Sequence, residues 1–170
     1  MRPPTDDELV AAARRLGRTL TERGWQLAAA ESCTGGLIGH VITQVPKSSD
    51  HFLGGIVSYS DAVKEELLGV SPGLLGQVGA VSAEVAEAMT TGALERFPAA
   101  RLAVAVTGIA GPDGGSDAKP VGLTYVAAAL RDGTATVERH VWPHDRDGNK
   151  RASALATLEL ARRLAAESPA

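Results

Sequence analysis

The sequence predicts an α/β protein, a three-layer α/β/α sandwich around a mixed, mostly parallel sheet. Three observations carry that expectation. Short apolar runs alternate with helix-periodic segments along the chain, which is the pattern of strands covered by helices on both faces. Hydroxyl- and glycine-rich loops follow two of those runs, at residues 31–36 and 107–120, where the carboxyl ends of parallel strands would lie. An Asp132-Gly133 pair between two late apolar runs marks a hairpin, and so an antiparallel addition to the sheet. With 170 residues, 44% hydrophobic and 22% charged, the chain is read as one domain over residues 1–170.

Thr5-Asp6-Asp7-Glu8 has the form of a capping box, and Leu9, Ala13, Leu16 and Leu20 then recur at helical spacing until Gly24. Trp25 to Ala30 is an apolar run read as a strand, and a helix carrying Leu37, Ile38, Val41 and Ile42 ends before Pro46. Phe52 to Tyr59 reads as a second strand. Ser60 or Asp61 then caps a short helix with Lys64, Leu67 and Leu68 that stops at Gly69. Residues 71–80 carry no clear period and are read as irregular. Ser82 opens a helix that ends at Pro98, and Arg101 to Val106 is apolar throughout, as a strand buried on both faces would be. A long glycine-rich loop follows, and loops of that length in compact domains usually carry function. Gly122 to Leu130 and Thr134 to Trp142 form the hairpin, and a last helix runs from about Arg146 to Glu167.

Composition excludes several classes. The longest apolar run is far too short to span a bilayer. The first residues lack the apolar stretch of a secretory signal, so the expected location is the cytoplasm. A net charge of −3 gives no basic footprint for direct nucleic-acid binding. The single cysteine, Cys33, can form no internal disulfide. His40, His51, His140 and His144 make no metal set, because Pro143 breaks the helix that would align the last two. No metal or cofactor is expected.

Three segments can carry chemistry. In Glu31-Ser32-Cys33-Thr34-Gly35-Gly36 a strand turns into a helix among hydroxyls and free amides, where an oxyanion or phosphate would be stabilised. Ser32 or Thr34 acting only as a cap is the plainer reading of the same residues. Ser58 to Lys64 sets a phenol and hydroxyls at a strand end, with an amine one turn later. A lysine desolvated in a cleft can serve as base for a hydroxyl nucleophile, whereas most lysines are simply exposed. The loop from Thr107 and Gly108 to Pro120 lacks the Gly-Lys-Ser/Thr ending of a P-loop and the spacing of the dinucleotide fingerprint, which disfavours an ATPase or a Rossmann dehydrogenase. Arg146 and Arg151, at the start of the last helix, are candidates for a phosphate contact.

Read together, Ala30-Glu31-Ser32-Cys33-Thr34-Gly35-Gly36, Gly55 to Ser60 with Lys64, Gly79-Ala80-Val81-Ser82, Thr107 to Gly115 and Lys119-Pro120-Val121-Gly122 closely resemble the CinA C-terminal domain family, in the family's order and over nearly the whole chain. The resemblance implies a stand-alone, metal-independent and usually oligomeric nicotinamide-nucleotide amidohydrolase. Such an enzyme converts the small-molecule nucleotide nicotinamide mononucleotide and water to nicotinic acid mononucleotide and ammonia. It also implies that the pyrophosphatase domain of longer members is absent. Carried onto this sequence, Ser32 is the expected nucleophile, with Tyr59 and Lys64 activating it and Ser48 as the alternative serine. Thr34, Gly35, Gly36, Thr107, Gly108, Arg146 and Arg151 are the expected substrate-binding residues. His144-Asp145-Arg146 stands where the family often has Gly-Asp-Arg. The competing readings are an amidase for another substrate and a non-catalytic scaffold connected with competence and DNA damage.

Overall fold

A computed structural model describes residues 2–169; residues 1 and 170, the ends of the span read as one domain, lie outside the described residues. Helix α1 (Asp6–Arg23) leads into β1 (Leu27–Glu31), α2 (Leu37–Thr43), a 3₁₀ turn (Ser48–Asp50) and β2 (Phe52–Val57). Then follow α3 (Asp61–Leu68), α4 (Pro72–Val78), α5 (Ala83–Arg96), β3 (Leu102–Gly108), β4 (Leu123–Leu130), β5 (Ala135–Val141) and α6 (Arg146–Glu167). The Thr5–Glu8 capping box forms as expected, and Gly24 closes α1 in the left-handed conformation at φ 65°. One expectation fails. Residues 71–80 are not irregular, because Ser71 caps α4 and Pro72 supplies a first-turn residue already set at helical φ. Only Leu75 of that helix is buried, so it leaves no apolar period to read.

The strand order is β2-β1-β3-β4-β5. β1 pairs in parallel with both β2 and β3, while β3–β4 and β4–β5 are antiparallel, so β4 alone runs against the other strands. The sheet is mixed, and β1 lies between two parallel neighbours, β2 and β3, whose connections leave in opposite directions. That is the topology that opens a crevice beyond the carboxyl ends of the strands.

The period of two along each strand divides the core in two. Leu27, Ala29, Leu102, Val104, Val106, Val126, Ala128 and Leu130 face one side, where Leu9, Leu16 and Leu20 of α1, Ile38 and Ile42 of α2 and Leu158 of α6 cover them. On the other side the strands present only alanines from their centres: Ala28, Ala30, Ala103, Ala105, Ala127 and Ala129. Val85, Ala86, Met89 and Ala93 of α5 pack there. Small side chains on the sheet let α5 approach closely, and the abundance of alanine in the sequence has its physical use here.

The same tightness recurs between helices. A Cβ on Gly92 of α5 would lie 2.0 Å from the Leu68 carbonyl oxygen at the end of α3. Backbone on both sides leaves nothing free to move. We expect Gly92→Ala to destabilise the protein by about 1–3 kcal/mol through overpacking, despite alanine's better helix propensity, as measured by urea denaturation. Unchanged or raised stability would show that α3 and α5 are less closely packed than described.

Candidate active site

Alternation along β1 decides the chemistry of its last residues. Glu31 continues the side facing α1 and α2, and Ser32, tied on by its N–H to the Val106 carbonyl at 3.0 Å, turns to the side of α3 and α5. There it meets Lys64. Ser60 caps α3 by accepting from the Val63 N–H, which places Lys64 one turn inside the helix and aims its side chain back at the strand ends.

Lys64 is 1% exposed, and its Nζ lies 3.1 Å from Ser32 Oγ. The same nitrogen donates to the Ser58 carbonyl at 2.7 Å and the Tyr59 carbonyl at 3.4 Å. Burial pushes the Lys64 amine below the ordinary lysine value of 10.5, with the Asp61 carboxylate opposing that shift. Nζ donates to the Ser32 hydroxyl oxygen as well as to the two carbonyls, and on loss of one proton its lone pair is within reach of the Ser32 hydroxyl. Cys33, beside the serine, has its thiol pushed up to about 12, chiefly by burial, so it holds its proton and is no thiolate nucleophile.

Ser32 and Lys64 share a cleft of about 250 Å³ with Cys33, Tyr59, Asp61, Ala80, Val81, Thr107, Gly108, Ala110 and Arg146. The carboxyl ends of β1, β2 and β3 thus converge, as their loops predicted. The Thr107 hydroxyl lines the cleft and donates to the Ala80 carbonyl at 2.8 Å, so it also fixes the segment before α5. Gly108 is required, since a Cβ would come within 2.7 Å of the Leu123 carbonyl oxygen. Arg146, in the first turn of α6, donates to the Gly111 carbonyl at 2.6 Å and the Tyr59 hydroxyl at 3.0 Å, closing the cleft between two loops.

Several expected residues stand elsewhere or act otherwise. The Tyr59 phenol faces Arg146 and is not hydrogen-bonded to Ser32, so only its carbonyl touches Lys64. Thr34 is buried and donates to Glu31 Oε2 at 2.6 Å. Glu31 also accepts from the Gly36, Ile38 and Gly39 N–H groups, so the amides expected to receive substrate at the start of α2 are already occupied. Neither Thr34, Gly35 nor Gly36 lines the cleft. Arg151 pairs with Asp6 and Asp147, away from it. Ser48 precedes β2 and so lies at the opposite edge of the sheet, about 20 Å from Ser32 along the strands.

Sequence reasoning did not single out Glu31, Asp61 or Asn149. Asn149 is buried in α6, donates to the Ala110 carbonyl at 3.0 Å and accepts from the His144 N–H at 3.1 Å, holding the cleft's far wall. A lone asparagine one turn into a helix gives no signal for this. Among the described residues no three His, Cys, Asp or Glu side chains gather as a metal cluster.

This geometry occurs within a region that known proteins share. Residues 10–165 match the model of the CinA C-terminal domain. A nicotinamide-nucleotide amidohydrolase PncC of Pseudomonas putida is 49% identical over 154 residues, covering 90% of this chain and 94% of that protein. A CinA-like protein of Geobacter sulfurreducens is also 49% identical, over 93% of this chain, which spans only 37% of that longer relative. Among solved structures, the competence/damage inducible protein CihA of Agrobacterium tumefaciens superposes with a TM-score of 0.88 at 38% identity, covering 96% of this chain and 98% of that one. Because the matched span contains every element that builds the cleft, from β1 to the first turns of α6, the chain belongs to the CinA C-terminal domain family.

Proposed function

We propose that the protein is a nicotinamide-nucleotide amidohydrolase that hydrolyses the carboxamide of nicotinamide mononucleotide to nicotinic acid mononucleotide and ammonia. The observation that carries the chemistry is the 3.1 Å approach of a buried lysine amine to a serine hydroxyl at the end of β1. Similarity to the P. putida amidohydrolase over nearly both full lengths supports the substrate.

In this reading Ser32 Oγ attacks the amide carbon as Lys64 Nζ accepts its proton. The carbonyl π electrons move onto oxygen, and the oxyanion needs donors. Among the described residues, no other residue accepts from the backbone N–H of Cys33, which lines the cleft immediately after the nucleophile. Collapse of the tetrahedral adduct breaks the C–N bond, and the Lys64 ammonium returns its proton to the departing nitrogen as ammonia. Water then attacks the acyl-Ser32 ester with Lys64 again as base, which releases the carboxylate product and restores the hydroxyl. Asp61 faces the cleft with a charge complementary to the pyridinium ring, and Arg146 at the rim complements the 5′-phosphate.

Ammonia release from the mononucleotide by the purified protein tests the reading, with free nicotinamide as the comparison. Ser32→Ala and Lys64→Arg are each expected to lower kcat by about 100-fold or more, since arginine cannot take up a proton at working pH. The pH profile of kcat/KM follows from the same amine. The base form is the active one, so activity rises with pH and levels off above a midpoint below 10.5, because burial favours the uncharged amine. A flat profile, or an active Ser32→Ala protein, would overturn the assignment.

Arg146→Ala is expected to raise KM for the mononucleotide about tenfold or more while sparing kcat, as loss of a phosphate contact should. Arg151→Ala and Ser48→Ala should leave kcat/KM within about twofold. Arg151 makes partly exposed ion pairs of about 0–1 kcal/mol, and Ser48 lies at the far edge of the sheet. A large loss of activity in either would show that the site extends beyond the cleft described.

A further inference from the structure

The carboxylate of Glu31 is the most heavily engaged side chain next to the cleft, and the proposed mechanism gives it no part. It is 2% exposed and accepts four hydrogen bonds: from Thr34 Oγ1 at 2.6 Å, Gly36 N at 3.0 Å, Ile38 N at 3.1 Å and Gly39 N at 2.9 Å. Among the described residues no lysine, arginine or histidine pairs with it. A buried carboxylate without a cation is costly unless neutral donors replace its hydration, and here four do. The carboxylate and those donors therefore belong to one arrangement.

Three of the four donors, the Gly36, Ile38 and Gly39 amides, lie beyond the Ser32–Gly35 turn from Glu31 in sequence, and the fourth, Thr34 Oγ1, lies within it. The carboxylate pulls the chain after the turn back against the strand before it, and Gly35 and Gly36 take φ values of 62° and 97° so that the chain can return. The Gly35 N–H closes the turn on the Ser32 carbonyl at 3.0 Å. The donors from Thr34 Oγ1 onward are spent on Glu31, within the turn or within α2, whereas no other residue takes the N–H of Cys33, directly after the nucleophile in the cleft.

We propose that Glu31 is the positioning residue of the oxyanion site: its carboxylate shapes the Ser32–Gly35 turn so that the amide of Cys33, the cleft residue next to the nucleophile, stays free for the developing oxyanion. It touches no substrate. The inference rests on the amidohydrolase reading and deepens it, since it makes a buried structural charge a condition for the rate of the chemical step. The period-2 alternation of β1 allows this, with the carboxylate and the nucleophile on adjacent residues and opposite faces.

The test compares the full-length protein with Glu31→Gln and Thr34→Val. The first keeps the shape but presents an NH₂ group to backbone donors. The second keeps the carboxylate and removes its shortest bond. Three quantities are read for each: kcat for ammonia release from nicotinamide mononucleotide, KM, and affinity for the 3-formylpyridine analogue of that nucleotide. Ser32 adds to the aldehyde carbon of that analogue to form a tetrahedral adduct whose oxygen occupies the oxyanion position.

Glu31→Gln should lower kcat by about 100-fold or more with KM within about threefold, the pattern of an interaction made only in the transition state. Aldehyde affinity should fall by the same factor as kcat/KM. Thr34→Val should show the same pattern at about 5- to 10-fold, from loss of one of the four bonds. A structural role alone would lower the melting temperature and the active fraction without separating aldehyde affinity from KM. Glu31→Gln with kcat within threefold of the parent, or with aldehyde affinity unchanged, overturns the inference. If that variant does not fold, Thr34→Val decides, and parental kcat and aldehyde affinity in it overturn the inference equally. A parent protein that releases no ammonia from the mononucleotide is a separate result, the failure of the amidohydrolase reading itself.

Discussion

The cleft depends on keeping an amine out of water. Moving a charged ammonium to a site 1% exposed costs several kcal/mol even after relaxation, and burial accordingly lowers the Lys64 pKa from its ordinary value while the Asp61 carboxylate opposes that shift. The Ser58 and Tyr59 carbonyls and the Ser32 hydroxyl oxygen accept from the Lys64 N–H groups. Those carbonyls are free because β2 ends at Val57, leaving the next two residues beyond the ladder. The strand boundary, the helix cap at Ser60 and the turn between them thus hold the amine in the buried surroundings that lower its pKa, on which the proposed chemistry relies.

Much of this was legible before the fold was seen. The capping box at Thr5, the stops at Gly24 and Gly69, the hairpin at Asp132-Gly133 and the loops after β1 and β3 follow from local chemistry that tertiary packing does not override. Ser32, Lys64, Thr107, Gly108 and Arg146 come together because each sits at a strand end or first helical turn on the same edge of the sheet. What was not legible depends on direction. Composition puts Tyr59 and Arg151 near the site equally well, but the phenol turns to Arg146 and Arg151 turns to Asp6 and Asp147.

The Thr34-Gly35-Gly36 amides illustrate a subtler limit. A hydroxyl-glycine turn into a helix is a sound rule for anion binding, and the rule holds here, with Glu31 of the chain itself as the anion. The motif thus carries its own occupant, one residue before the nucleophile. Recognising that requires knowing which face of β1 Glu31 takes, and the face is set by register with β3, where Glu31 lies opposite Val106. Ser48 was misplaced for a similar reason, since serines before a strand and after one look alike in sequence and lie at opposite edges of a parallel sheet.

The long loop between β3 and β4 forms the last wall, and it is held by side chains rather than by a ladder. Lys119 donates to the Val78 and Val81 carbonyls at 2.6 and 2.8 Å, Asn149 to Ala110, and Arg146 to Gly111. Each of these bonds ends on a backbone carbonyl, two of them donated from α6 and two by Lys119 of the loop itself, so the loop is tied at once to α6 and to the end of α4 and the segment after it. A loop so anchored loses little further entropy when a ligand arrives, which is the condition for dipoles that must be in place before charge develops. The glycines make the path sterically possible, and the lysine, asparagine and arginine make it singular. That division of labour explains why the loop lacks every phosphate-loop signature and still borders the reactive cleft.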